Sequence, residues 1–175
     1  MSRGYTGIRG GSALVALLLV LALVTTGLVT DHARAAEVTP RDKMLALTNQ
    51  DRTERDKKAL KLNAKLSRYA ARHSEDMAEA KKLFHTSIKA LVRKLNDLGV
   101  RWSNAGENVG VSTTIETVPK TLASLERAFM RSKLHRQNIL GSVYDHAAIG
   151  IFESPDDEET EAFDPKVWVT VIFYG

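Results

Sequence analysis

Two short apolar runs near the end of the chain do most to limit its fold. Ala147-Ala148-Ile149-Gly150-Ile151-Phe152 and Val167-Trp168-Val169-Thr170-Val171-Ile172-Phe173 are β-rich and bounded by polar residues, so each predicts a strand. The link from Glu153 to Glu161 is dense in acid and reads as a solvated hairpin tip. It lacks the alternating ligand order and central glycine of a calcium-binding loop. What precedes the two runs is largely helical in period. Thr39-Pro40-Arg41-Asp42 is a helix start: a capping hydroxyl, a proline suited to the first position and an acid at the positive end of the dipole. Met44, Leu47 and Thr48 should face inward, and the helix should fade near Arg55.

Asn63 caps a second helix, with Leu66, Tyr69, Ala70, His73, Met77 and Ala80 as one buried stripe. Lys65, Arg68, Arg72, Glu75, Glu79 and Lys82 form its solvated face. Ser87 caps a short third helix that turns Ile88, Leu91, Val92, Leu95 and Leu98 to one side and stops at Gly99. Residues 100–111 read as a loop entering a strand. Thr113 or Thr117 caps a fourth helix, with Pro119 in its first turn and Leu122, Leu125, Phe129 and Met130 inside. Residues 134–141 read as a tight turn after it. Helices first and an antiparallel strand pair last predict a layered α+β domain.

The first 35 residues stand apart. Arg3 and Arg9 precede an unbroken apolar run from Ala13 to Val24, and Ala33-Arg34-Ala35 offers small residues at the two positions a signal peptidase reads. That arrangement predicts a secretory signal peptide over 1–35 and a mature domain over 36–175. The rival reading is an uncleaved anchor, but the strictly apolar run is shorter than the ~20 residues that span a bilayer. Cleavage removes Arg3, Arg9, Asp31 and Arg34, so the net charge falls from +4 to +2. Nothing in that balance argues for nucleic-acid binding. The chain has no cysteine, which excludes disulfides, a thiol nucleophile and thiolate metal sites. Zero cysteine by itself suggests a reducing compartment, and the export signal overrules it.

Five histidines are present. His32 falls in the export segment, His73 sits on an apolar stripe where a satisfied core histidine is expected, and His146 precedes a strand. His85 and His135 each lie just past a helix among polar residues, where a loop can present a side chain into a cleft. Spacing alone does not join them, and no zinc-protease, serine-hydrolase or P-loop motif is present.

Six blocks in order carry a resemblance. They are Leu45-Ala46-Leu47-Thr48-Asn49-Gln50-Asp51-Arg52, the helix from Leu66 to Ala78, Phe84-His85-Thr86-Ser87, Gly106-Glu107-Asn108-Val109, Ser132 to Leu140, and Ile149-Gly150-Ile151, with Trp168 to Gly175 as a closing strand. This resembles the CAP superfamily (cysteine-rich secretory proteins, antigen 5, pathogenesis-related class 1), or SCP domain, and most of all its bacterial secreted branch. The resemblance implies an α–β–α sandwich with a small central antiparallel sheet. It implies a cleft in which His85, Glu107 and His135 match family positions, with Asn108 serving loop structure. Ser132 stands where many members carry a second acid, and Lys133-Leu134 replaces a Pro-Gly that usually precedes the second histidine.

Two imidazoles and a carboxylate suit Zn²⁺ or another divalent cation, weakly bound, with Glu107 as ligand or base. The same three groups can equally form a hydrogen-bonded network that ties loops to the sheet. A Ser132–His135 pair also reads as a serine nucleophile and base, without an oxyanion-hole motif to support it. The resemblance implies an extracellular module of unproven activity. Its expected ligand is a lipid, a cell-wall component or a protein, and its only expected membrane contact is the export segment. The alternative is a metal-dependent hydrolase acting on peptide or wall polymer.

Overall fold

The central strand is the one the sequence marks most strongly. In the computed structural model, which describes residues 38–155 and 165–175, β4 spans Lys166–Tyr174 and every residue from Val167 to Tyr174 is buried. A strand covered on both faces has no polar side, which explains its continuous apolar run. It lies between β3 (His146–Ser154) and β2 (Ala105–Thr113), antiparallel to both. A two-residue strand, β1 (Lys61–Leu62), pairs parallel with β3, so the order is β1-β3-β4-β2.

Alternation along β4 divides the core. Val167, Val169, Val171 and Phe173 pack with Met44 of α1 (Pro40–Thr53), with Leu122, Leu125 and Phe129 of α4 (Val118–Arg131), and with Ile139 of α5 (Lys133–Ile139). On the other face, Ile172 and Tyr174 pack with Leu66 and Ala70 of α2 (Ala64–Glu79) and with Leu91 and Leu95 of α3 (Ile88–Asp97). The result is an α–β–α sandwich.

The caps follow the sequence closely. The side chains of Thr39, Asn63 and Ser87 accept from the amides of Asp42, Leu66 and Ala90. Gly99 follows α3 at φ 63°, a left-handed conformation that glycine adopts without Cβ strain. Thr117 precedes α4 but makes no side-chain cap bond; Thr121 instead accepts from the amide of Ile115.

Helix α2 sits directly on the sheet. A Cβ at Gly150 would lie 2.0 Å from the carbonyl carbon of Ala70, so only glycine permits this approach. Ser67 accepts from the amide of Ile149, and Ser74 donates to the carbonyl of Gly150. These buried hydroxyls lie outside the apolar stripe read from sequence.

Three local expectations are corrected. Residues 133–139 are a helix, not a tight turn: Ser132 adopts an extended conformation that breaks α4, and the chain re-enters the helical region as α5. Ile88 is 83% exposed instead of facing inward, because it opens α3 before that helix meets the sheet. Ala80 is exposed at the C-cap of α2, past the last turn that touches the core. Residues 156–164 of the acidic tip and the export segment over 1–35 lie outside the described residues. Among the described residues no helix is long and apolar enough to cross a membrane.

The Asn–Arg pair of the opening helix proves to be a clamp. Asn49 brackets the backbone of Leu60, donating to its carbonyl at 3.0 Å and accepting from its amide at 2.7 Å. Arg52 is 1% exposed and donates to the carbonyls of Lys58, Ile139, Gly141 and Tyr144. It thereby ties α1 to the segment that leads from α5 into β3. Burial pulls its pKa down from the ordinary value.

Candidate functional site

Glu107 lies near the start of β2, an edge strand, and points to the α2–α3 side of the sheet. Its side chain is 6% exposed. One carboxylate oxygen, Oε1, lies 2.9 Å from Nδ1 of His85 and also accepts from the amide of Thr86 at 2.9 Å. The segment between α2 and α3 is therefore pinned to β2 through two consecutive residues. The His85 ring stays 59% exposed above a buried carboxylate.

The other oxygen, Glu107 Oε2, is buried with no hydrogen-bond partner among the described residues. Unpaired buried polar atoms are unusual enough in a folded protein to need a reason. Tyr69 of α2 stands beside it. Burial pushes its phenol up, Thr86 pulls the other way, and the carboxylates of Glu107 and Asp76 add to the rise. The sequence placed Tyr69 on the core stripe, and it packs, partly buried, against the Leu66–Leu95 cluster.

His135 comes from the opposite layer, on α5, and reaches the same edge of the sheet. Its ring meets Phe129 edge-on at 4.9 Å between centroids. Burial lowers its pKa, and the nearby His85 lowers it further. The neutral form of His135 is therefore favoured.

Asn108, fully buried, donates to the carbonyl of His135 at 3.0 Å and accepts from Asn138 at 2.8 Å. Asn138 also donates to the carbonyl of Glu107. Asn108 therefore locks a helix to a strand, a broader role than the loop bonding expected of it. A Cβ at Gly106 would lie 2.7 Å from Asn138 Oδ1, so glycine leaves room for this junction.

Ser132 joins α4 to α5, and its hydroxyl bonds neither His135 nor His85, so no Ser–His relay is formed. His73 is 6% exposed, with Nε2 2.9 Å from the carbonyl of Phe84 and its ring edge-on to Phe84, as a satisfied core histidine should be. His146 stacks on Tyr174 at the far end of the sheet from the acidic tip.

The donor set of His85, Glu107 and His135 has the chemistry of a zinc site. Among the described residues, however, no three His, Asp or Glu side chains gather closely enough to hold an ion. As placed, the three do not fit a three-ligand centre.

A second buried carboxyl was not singled out from sequence. Glu126 of α4 is 2% exposed, and the hydroxyl of Thr48 on α1 lies beside it. Burial pushes its pKa up to about 8; Thr48 opposes the rise and Asp51 adds to it.

The family described as the cysteine-rich secretory protein family, CAP, matches residues 45–173, and the chain belongs to it. Over 114 residues it is 30% identical to the uncharacterised protein YkwD of Bacillus subtilis, which covers 64% of this chain and 42% of YkwD. Among solved structures it resembles an extracellular SCP-domain protein from Bacillus anthracis (TM-score 0.56, 21% identity, 77% of this chain and 40% of that one). It also resembles a cysteine-rich secretory protein from Staphylococcus aureus (TM-score 0.51, 27% identity, 77% and 38%). An outer surface protein from Borrelia burgdorferi shares the fold (TM-score 0.56, 13% identity, 78% and 95%). The chain spans less than half the length of the Bacillus and Staphylococcus relatives.

Proposed function

We propose that this chain is an exported, non-enzymatic binding module that takes an extracellular ligand in the cleft of His85, Glu107 and His135. The observation that carries the reading is the unpartnered buried oxygen Glu107 Oε2 beneath an exposed imidazole. A ligand that brings a hydrogen-bond donor would satisfy it, and leaving it unpaired costs free energy. Turnover has less support, because Ser132 is unactivated and the potential metal ligands are not gathered. Export rests on the basic start, apolar run and Ala-x-Ala site of residues 1–35, and on the extracellular description of the Bacillus anthracis relative.

A divalent ion belongs to the proposal only through the chemistry of the donor set. It would be held weakly, since a tight site needs three or four ligands at once.

The test is a titration of the ring signals of His85 and His135 by proton NMR, with a soluble muramyl peptide and, separately, a short-chain lysophospholipid. One of the two should move both histidines while no bond in the added molecule is cut. If neither moves them, the binding reading fails. If zinc-dependent cleavage of the muramyl peptide or of a casein substrate appears and is lost in His85→Ala, the chain is the metal-dependent hydrolase instead.

A further inference from the structure

Strand β3 outlasts its outer neighbour. β1 pairs with His146 and Ala147 alone, whereas β3 runs on to Ser154, so its outer side carries no strand from Ala148 onward. Two bonds fix which backbone groups face that side. The carbonyl of Ala147 accepts from the amide of Asn63, and the amide of Ile149 donates to the Ser67 hydroxyl. Alternation along a strand then turns the amides and carbonyls of Ile151 and Glu153 the same way. Apart from the Ile149 amide, the outward groups of Ile149, Ile151 and Glu153 have no partner among the described residues. No proline or bulge interrupts the run, and an open edge of this kind is a template for another strand.

A recess of about 350 Å³ lies over this edge, with Ile149, Ile151 and Ala71 among its walls and Arg41, Arg68 and Glu153 as its charges. Arg41 comes from α1, on one face of the sheet, and Arg68 from α2, on the other. Neither guanidinium is matched. Arg41 Nε is buried without a hydrogen-bond partner, and the Asp42 carboxylate stands 3.8 Å away. Arg68 is exposed and forms no ion pair among the described residues. An occupant that satisfies the recess must bring backbone amides and carbonyls in extended form and carboxylates for two arginines. Successive side chains of a strand point to opposite faces, so two acids in a row would meet Arg41 on one face and Arg68 on the other. A second copy of this chain would bring one Glu153 and two further arginines to the same place, a poorer match of charge.

We propose that the outer edge of β3 is a docking site for an extended acidic peptide segment, which adds as a strand along Ile149–Glu153 and presents consecutive carboxylates to Arg41 and Arg68. Main-chain bonds supply the affinity and the arginines the selectivity. The site lies on the opposite edge of the sheet from the histidine cleft and does not depend on the reading of that cleft.

The test uses the full chain beside a form beginning at Ala36, titrated with acetyl-Val-Thr-Glu-Glu-Thr-Val-amide. Binding should be weak, with Kd on the order of 100 µM. Hydrogen exchange at the amides of Ile151 and Glu153 should slow when the peptide is added, because those amides then donate to it. Affinity should fall about tenfold for the Gln-Gln version of the peptide and about tenfold in Arg68→Gln. Arg68 is exposed, so this variant should keep the parent's thermal midpoint. The peptide acetyl-Val-Pro-Glu-Glu-Pro-Val-amide keeps the charge but loses strand donors, and it should not bind.

Unchanged exchange at Ile151 and Glu153 under a millimolar excess of peptide overturns the proposal. Equal binding of the Glu-Glu and Gln-Gln peptides overturns the role of the arginines and with it the stated partner. Equal binding of the proline peptide reduces the effect to unspecific charge attraction. Self-association of the parent in sedimentation velocity that Arg68→Gln abolishes would give the edge to a second copy of the chain instead.

Discussion

The two faces of the sheet handle buried charge in different ways. On the α2–α3 side, Glu107 is buried but held: an imidazole and a backbone amide share one of its oxygens. On the α1–α4–α5 side, Arg52 and Glu126 are both buried, and neither is paired with an opposite charge. Arg52 is satisfied by four backbone carbonyls and acts as a fastener. Glu126 has the Thr48 hydroxyl beside it and no charge to balance it. The contrast shows that burial of a charged residue has no single meaning. A carboxylate with one oxygen fixed and one free at a cleft can receive a ligand. A guanidinium saturated by carbonyls holds segments together. A carboxyl buried with one hydroxyl beside it and no opposite charge is neutral at moderate pH and destabilises when it ionises.

The sharpest way to break this contrast is Arg52→Ala. It would orphan the carbonyls of Lys58, Ile139, Gly141 and Tyr144 and open a cavity, for a loss of roughly 5 kcal/mol in urea denaturation. A loss under about 1 kcal/mol would show that water replaces the guanidinium and that the fastener reading is wrong.

Glu126→Gln comes next and has the opposite sign. The Glu126 carboxyl is pushed up from 4.5 to about 8 by burial, so between those values the folded protein holds a proton that the unfolded chain releases. Stability therefore falls as pH rises through that window and levels off above it. At 1.36 kcal/mol per unit, discounted for relaxation of the α1–α4 seam, the fall is on the order of 3 kcal/mol. Glu126→Gln should remove most of this slope and exceed the parent in stability at about pH 9, while differing little at about pH 5. Equal pH slopes in parent and variant would mean that Glu126 is solvated in solution.

The smallest effect is local. Glu107→Ala removes the acceptor of the Thr86 amide, so hydrogen exchange at that amide should quicken by about tenfold, with far less change at the amides of β4. Uniform acceleration across β4 would instead make Glu107 a general stability residue and blur its difference from Arg52.

Much of the fold was legible because it rests on local chemistry. Thr39, Asn63 and Ser87 cap helices where their side chains can reach the third amide onward, and both late apolar runs are strands. Other features were not legible, because nothing within a few residues encodes them. The seven residues of α5 are too few for a helical period to stand out, and the helix is held by its place against β2 and the Arg52 clamp. Glu126 looks like one more charge on an amphipathic helix until α1 covers it. Ile88 carries the right spacing for α3's inner face yet starts the helix beyond the reach of the sheet. At the site, His85, Glu107 and His135 were named from the family resemblance. The free oxygen of Glu107 emerges only when α2 and β2 are set side by side.

By itself, the sequence determined the α+β class, the helix caps, the continuous apolar central strand and the need to fold without disulfides. Each of these follows from residue type and short-range spacing. Only the tertiary structure decided which buried charges are satisfied and that neighbouring residues of β2, Glu107 and Asn108, hold His85 and the backbone of His135. Those depend on contacts between residues more than 20 positions apart, such as His85 with Glu107 and Arg52 with Ile139. Such distances close only when the two helical layers pack on the sheet.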